Sequence, residues 1–522
     1  MRDGLNLQTE EFKKELSLAF KLKLSQKKVE EPLAISKTAS TLAVIYESAR
    51  NAVEFRAEHL IRQAAIERIL KRRLFLNQKS EKLARLLVKE LLWARYLKPE
   101  SVSAGLVEEI AVIIEKYRSL LSGAEGVNGL SKRVLEIASC EIEEKLAFDP
   151  LPQVIINYVF ETLSRRLDFD EADSKTKSIQ IYIAVERGFG KNSDGLIAYK
   201  LLKTLFPAWF NNQADAEKLR GDFFQNLSYI ESQLNYPLAS VLKREVVFLS
   251  PPFNIIREMV NTYQQDFVDL VSNKDRLEET VRSLLEDLYR ETKDKLSRAS
   301  LRSIVYIFLT KMVIGILLEL PIDIIFGKVN YLALGINLSF PPLLMFLLNL
   351  DIDLPDEENT ERMVEVINDY FYSQDKPEVK IISSLSKGQK ISEIFGIFYL
   401  VMFGITFGGV IWILTKLGFN PVSQIIFLFF LSVVSFFAYR VRGIAKDFSL
   451  EKDDRESLLS SFKDFIFLPV IKVGQWLSSK IASINVLSFI LDFIIEAPLK
   501  VFLEVVEEWI HFIKAKKEEI VS

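Results

Sequence analysis

Three stretches of this chain carry no charged residue at all: Val329–Leu350, Ile394–Thr415 and Leu417–Tyr439. Each is long enough to cross the hydrocarbon layer of a bilayer, which takes roughly 20 apolar residues in a helix. A single Asp or Lys at the centre of such a helix costs about 2.5–3.5 kcal/mol on insertion scales. Charge-free windows of this length, in a chain of which 26% is charged, point to lipid as one of its two solvents.

A fourth stretch, Ser303–Phe326, holds Lys311, Glu319 and Asp323. It reads as membrane-embedded because the short GKVN turn joins it to the next window. Lys311 is expected to snorkel towards the interface. Glu319 and Asp323 lie one turn apart with Pro321 between them, and Pro341–Pro342 is expected to interrupt the following window. Ionisable residues inside a span are functional candidates by default, so Glu319 and Asp323 are the ion-pathway candidates. Counted from Ser303 at 1.5 Å per residue, however, Glu319 lies about 24 Å along the axis, which favours a place at the exoplasmic interface.

Basic residues set the expected orientation. Lys293, Lys295, Arg298 and Arg302 precede the first span, and Arg440, Arg442 and Lys446 follow the last. Arg362, Lys376, Lys380, Lys387 and Lys390 lie in the middle connection, whereas the two hairpin turns hold only Lys328. The expected topology is two hairpins, with both termini and the middle loop cytoplasmic. The expected location is the plasma membrane of a prokaryote.

The remaining sequence reads as helix. Residues 1–272 form a soluble helical domain with a sub-boundary near 123–129, marked by GAEGVNG. Between Asn273 and Leu320 the only Gly or Pro is Gly315, so a connecting helix over 273–302 is expected to run unbroken into the first hairpin, 303–350. Then follow an acidic loop with a short helix (351–393), the second hairpin (394–439) and an amphipathic tail (440–522). In the tail, Asp492, Glu496, Lys500, Glu504 and Glu508 step by four along one face, the pattern of a helix lying in the interface or packed on protein. The fold class is therefore all-α: an irregular helical bundle, a four-helix transmembrane region and the tail.

Candidate sites are few. GFGKN (Gly188–Asn192) fails the phosphate-loop pattern, with Val185 where the first Gly belongs and Asn192 where Ser or Thr does. The acidic run Asp351, Asp353, Asp356, Glu357 and Glu358 fails the calcium-loop pattern, with Asp356 at the Gly position and Arg362 at the final Glu. With one cysteine, Cys140, and two histidines, no metal site is expected, and no cofactor is implied. A net charge of −3 argues against a nucleic-acid partner. Arg68, Lys71, Arg72 and Arg73 form a basic cluster that is a solvated or salt-bridged face, or alternatively meets anionic headgroups. Gly404 and Gly408 form a GxxxG pair suited to helix packing within the chain or to a homo-oligomer.

No motif arranges catalytic chemistry, so no enzymatic activity is expected. The first reading is a membrane scaffold or adaptor whose helical domain meets a protein partner at the cytoplasmic face. The alternative is a small oligomeric channel or transporter using Glu319 and Asp323.

Overall fold

The computed structural model describes residues 5–25, 58–74, 78–121, 128–169, 173–211, 216–325, 330–350, 355–374, 380–382, 389–450 and 467–478, with 40, 41, 43, 44, 46, 47, 50, 505 and 509. The protein is all-α, and among the described residues four helices are long and apolar enough to cross a membrane. The chain divides into two compact units. One comprises Leu7–Val247, Lys376–Ile382 and Val486–Ser522; the other comprises Met1–Asn6, Phe248–Asp375 and Ser383–Asn485. Residues 248–272, expected to end the soluble domain, thus group with the spanning helices.

The first unit is a helical bundle: α1 (Leu7–Leu24), α2 (Ile61–Leu74), α3 (Ser80–Trp93), α4 (Ala104–Leu121), α5 (Asn128–Leu146), α6 (Leu151–Ser164), α7 (Ser174–Gly188), α8 (Asp194–Leu205), α9 (Arg220–Leu234) and α10 (Ala239–Leu249, its last two residues falling in the other unit). Consecutive helices pack as neighbours, α3 on α4, α4 on α5 and α8 on α9, while α2 and α8 both lie on α5. The apolar spacing of each helix turns one stripe inward. Leu83, Leu87 and Leu91 of α3 meet Ile110, Ile113, Val134, Ile137, Ile197, Leu227 and Ile230 in one core. GFGKN joins α7 to α8, where Ser193 caps α8 by accepting from the Leu196 amide. Sequence spacing gives no sign of a short sheet in this unit: Leu167–Phe169 (β1) pairs in parallel with Lys380–Ile382 (β2), which lies between the apolar windows Val329–Leu350 and Ile394–Thr415.

In the other unit, α11 (Pro251–Tyr263) and α15 (Glu357–Tyr372) pack on each other and on the charged half of α12 (Lys274–Ile314), a single 41-residue helix. Phe253 stacks on Tyr370 at 4.8 Å between ring centroids. The acidic turn serves as a helix start: Asp356 Oδ1 accepts from the Asn359 amide at 3.0 Å, while Asp351 and Asp353 lie outside the described residues. The apolar half of α12 packs against α14 (Tyr331–Leu350) and α17 (Pro421–Lys446). α16 (Gln389–Lys416) lies along α17. Pro341 and Pro342 do not interrupt α14, which continues through both. A proline's fixed φ suits a helix, and what is lost is the hydrogen bond to the carbonyl four residues back. The outward faces of these helices expose Val305, Leu309, Leu317, Leu332, Leu347, Ile405, Trp412 and Ile425, an apolar surface that lipid tails would solvate.

The ends of the hairpins are tied together. At one end the Asn330 amide donates to the Leu417 carbonyl at 3.1 Å, bridging the two hairpin turns. Gly418, with φ of 79°, closes the second turn, and a Cβ there would lie 2.6 Å from the Asn330 Nδ2. At the other end Asn254 of α11 donates to the Asp447 carbonyl at 2.8 Å. Asn359 donates to the Tyr289 hydroxyl at 2.6 Å and to the Phe448 carbonyl at 3.1 Å, and accepts from the Leu450 amide at 2.8 Å.

The tail differs from a purely interfacial helix where it is described. Residues 467–478 are helical and Val470 is buried in the core of the spanning bundle. The stripe from Asp492 to Glu508 lies outside the described residues.

Candidate functional site

Lys311 and Glu319 stand eight residues apart on one helix. At 3.6 residues per turn such residues point about 80° apart, too far round to pair comfortably. The helix corrects this with a π turn over Gly315–Glu319, in which the Leu320 amide reaches back five residues to the Gly315 carbonyl. One inserted residue turns the later part back by about 100°, leaving the two side chains roughly 20° apart and two turns distant. Pro321 follows at the start of α13 (Leu320–Ile325) and has no amide to give, so the regular pattern is already broken there.

The result is a buried ion pair. Lys311 is 0% and Glu319 1% exposed, and the Lys311 ammonium donates to Glu319 Oε1. Asn337 of α14, itself 1% exposed, donates from Nδ2 to Glu319 Oε2 at 2.7 Å. Phe430 of α17 presents its ring to the ammonium, 4.7 Å from Nζ to centroid. Residues of three apolar helices therefore meet at one ion pair, with Met345, Ile307 and Val434 in the surrounding apolar core. Among the described residues the Asn337 Oδ1 has no hydrogen-bond partner.

This geometry corrects two expectations. Lys311 does not snorkel to the interface, because its ammonium finds both a carboxylate and an aromatic face inside. Glu319 does not lie at an exposed boundary, because the π turn aims it into the bundle. Asp323 stands in α13, but its side chain lies outside the described residues. Lys311, Asn337 and Phe430 were absent from the sequence-derived site. The signal that could have found them was an amide, Asn337, at the middle of a charge-free window together with a Lys in the neighbouring apolar stretch.

The chain matches no family model, no curated protein and no solved structure.

The arrangement is chemically closed. Both carboxylate oxygens are occupied and the charge is balanced within the bundle, so Glu319 is not an open cation ligand. No group of three or more His, Cys, Asp or Glu suited to a metal occurs among the described residues.

The other sequence candidates fall elsewhere. Arg68 makes a two-oxygen pair with Glu47, each contact 2.8 Å. Arg72 and Arg73 share Glu90, at 2.6 Å from Arg72 and 2.5 Å from Arg73. Three members of the basic cluster are therefore spent on internal carboxylates, which corrects the headgroup alternative for them; Lys71 is exposed. A Cβ on Gly404 or Gly408 would meet nothing within 4 Å among the described residues, so the expected intrachain packing through this pair is not found.

Proposed function

We propose that the protein is a non-catalytic integral membrane scaffold whose helical unit receives a protein partner at the cytoplasmic face. The observation that carries this reading is the closed Lys311–Glu319–Asn337 cluster. Its charges satisfy each other, as expected of a joint that fixes three helices and not of a pathway that must accept and release an ion. The continuous α12 supports it further, since one helix joins the α11–α15 cluster to the bilayer without a hinge.

The hydrogen-bond ties support the two-hairpin topology. Asn254, Tyr289, Asn359 and residues 447–450 meet at one end, and the turns at Asn330 and Gly418 meet at the other. Pairing of residues 380–382 with 167–169 supports one side for the middle loop and this part of the helical unit. With the basic residues counted above, that side is the cytoplasmic one, in the plasma membrane of a prokaryote.

The test is cross-linking in native membranes followed by purification of the full-length protein in mild detergent. A stoichiometric protein partner joined through Leu7–Val247 is expected; recovery of the chain alone would overturn the scaffold reading. A small channel or transporter is the second reading, favoured by the cost of keeping any charge within a span. Reconstituted protein whose ion flux is lost in Glu319→Gln would favour it over the scaffold.

A further inference from the structure

We infer that residues 467–478 form a fifth membrane-embedded segment, seated in a groove of small residues at the middle of α17. The carrying observation is Gly474. A Cβ built there would lie 2.0 Å from the Ser432 carbonyl oxygen and 2.6 Å from the Phe436 Cβ, so the two backbones touch and only glycine fits. On α17, Ser432, Ser435 and Ala438 recur every third residue and all are buried. Small residues at such spacing let helices approach closely within a bilayer. Val470, one turn before Gly474, packs into the same core as Ile307, Met345 and Val434 of the spanning helices.

Depth follows from helix geometry. Ser432 lies eleven residues beyond Pro421, about 16 Å along the axis at 1.5 Å per residue. That is close to the midpoint of a hydrocarbon layer about 30 Å thick. A helix touching Ser432 backbone to backbone is therefore within the layer, not on its surface. Leu468 and Trp476 are exposed and would face lipid tails. Lys472 donates to Gln475 Oε1 at 3.4 Å, which gives its ammonium a polar partner on the segment itself.

The test uses full-length Cys140→Ala protein in phosphatidylcholine vesicles, with Leu468→Cys or Trp476→Cys carrying a nitroxide. Both side chains are exposed, and the buried contacts at Val470 and Gly474 are left unchanged by the labels. Collision with dissolved oxygen is expected to dominate at both positions. Collision with a water-soluble nickel chelate is expected to be largely lost relative to a label at Arg290→Cys on the charged half of α12. Nickel collision equal to the Arg290 control at either position would overturn the inference.

Discussion

Replacing Lys311 by Met keeps the length and the apolar stem of the side chain but removes the cation facing Glu319. Among the described residues the carboxylate then retains only the Asn337 amide at 2.7 Å. Removing one partner of a buried pair costs about 3–5 kcal/mol, because the remaining charge sits in a low-dielectric surrounding. The lower end applies here, since Asn337 still donates to Oε2 and the carboxyl group is free to take up a proton. A loss of about 3 kcal/mol is roughly a hundredfold in the folding equilibrium. Glu319→Leu should cost a similar amount by leaving the ammonium against Phe430 alone. The double variant Lys311→Met/Glu319→Leu removes both charges and should return to within about 1 kcal/mol of the parent. What remains is the unmet Asn337 amide, for which about 1 kcal/mol is the ordinary scale. Reversible unfolding of the full chain in mixed micelles, followed by circular dichroism as SDS is raised, measures all four corners of this cycle. Single variants that each lose less than about 1 kcal/mol, or a double variant equal to the sum of the singles, would refute a desolvated, mutually dependent pair.

Asn359→Leu should cost about 2–3 kcal/mol by stranding the Phe448 carbonyl and the Leu450 amide and taking one of its partners from the Tyr289 hydroxyl, and should speed proteolysis near residue 450, read by mass spectrometry. Asp356→Ala removes the cap of α15 and should cost about 1 kcal/mol, with faster hydrogen exchange at the Asn359 amide. The helical unit should unfold at alkaline pH. Burial first, then the charge of Glu141 or Glu144, holds the Tyr117 and Tyr199 hydroxyls above their ordinary range. The unfolded chain therefore releases these protons near pH 10 while the folded one keeps them, so stability falls above that pH by about 1.4 kcal/mol per pH unit for each tyrosine. Tyrosinate absorbance from either residue near pH 10 in the folded protein would contradict this; Tyr199→Phe should flatten the loss.

The parts of this architecture legible in the sequence are those that one residue type decides alone. An absence of charge marks the windows that become α14, α16 and α17, and an absence of Gly and Pro marks the long run of α12. What stayed hidden depends on partners distant in sequence or on a break in helical rhythm. Straight-helix geometry separates Lys311 from Glu319, and only the π turn at Gly315 brings them together. Asn337 gains meaning from a carboxylate 18 residues away on another helix. Arg68 and Arg73 look solvated until Glu47 and Glu90 fold against them. The three residues of β1 are too few to show an alternating pattern, and their partner lies more than 200 positions further on.

At 41 residues, α12 is a lever about 60 Å long. A tilt of about 5° at its lipid-facing end sweeps the opposite tip through roughly 5 Å, close to the rise of one helical turn. Tilting is one way in which a membrane-crossing helix accommodates a bilayer thinner than its apolar length. Thinning that is met by tilt would therefore displace the distant end of this rod, and a partner attached there would register the lipid composition beneath it as a change of position.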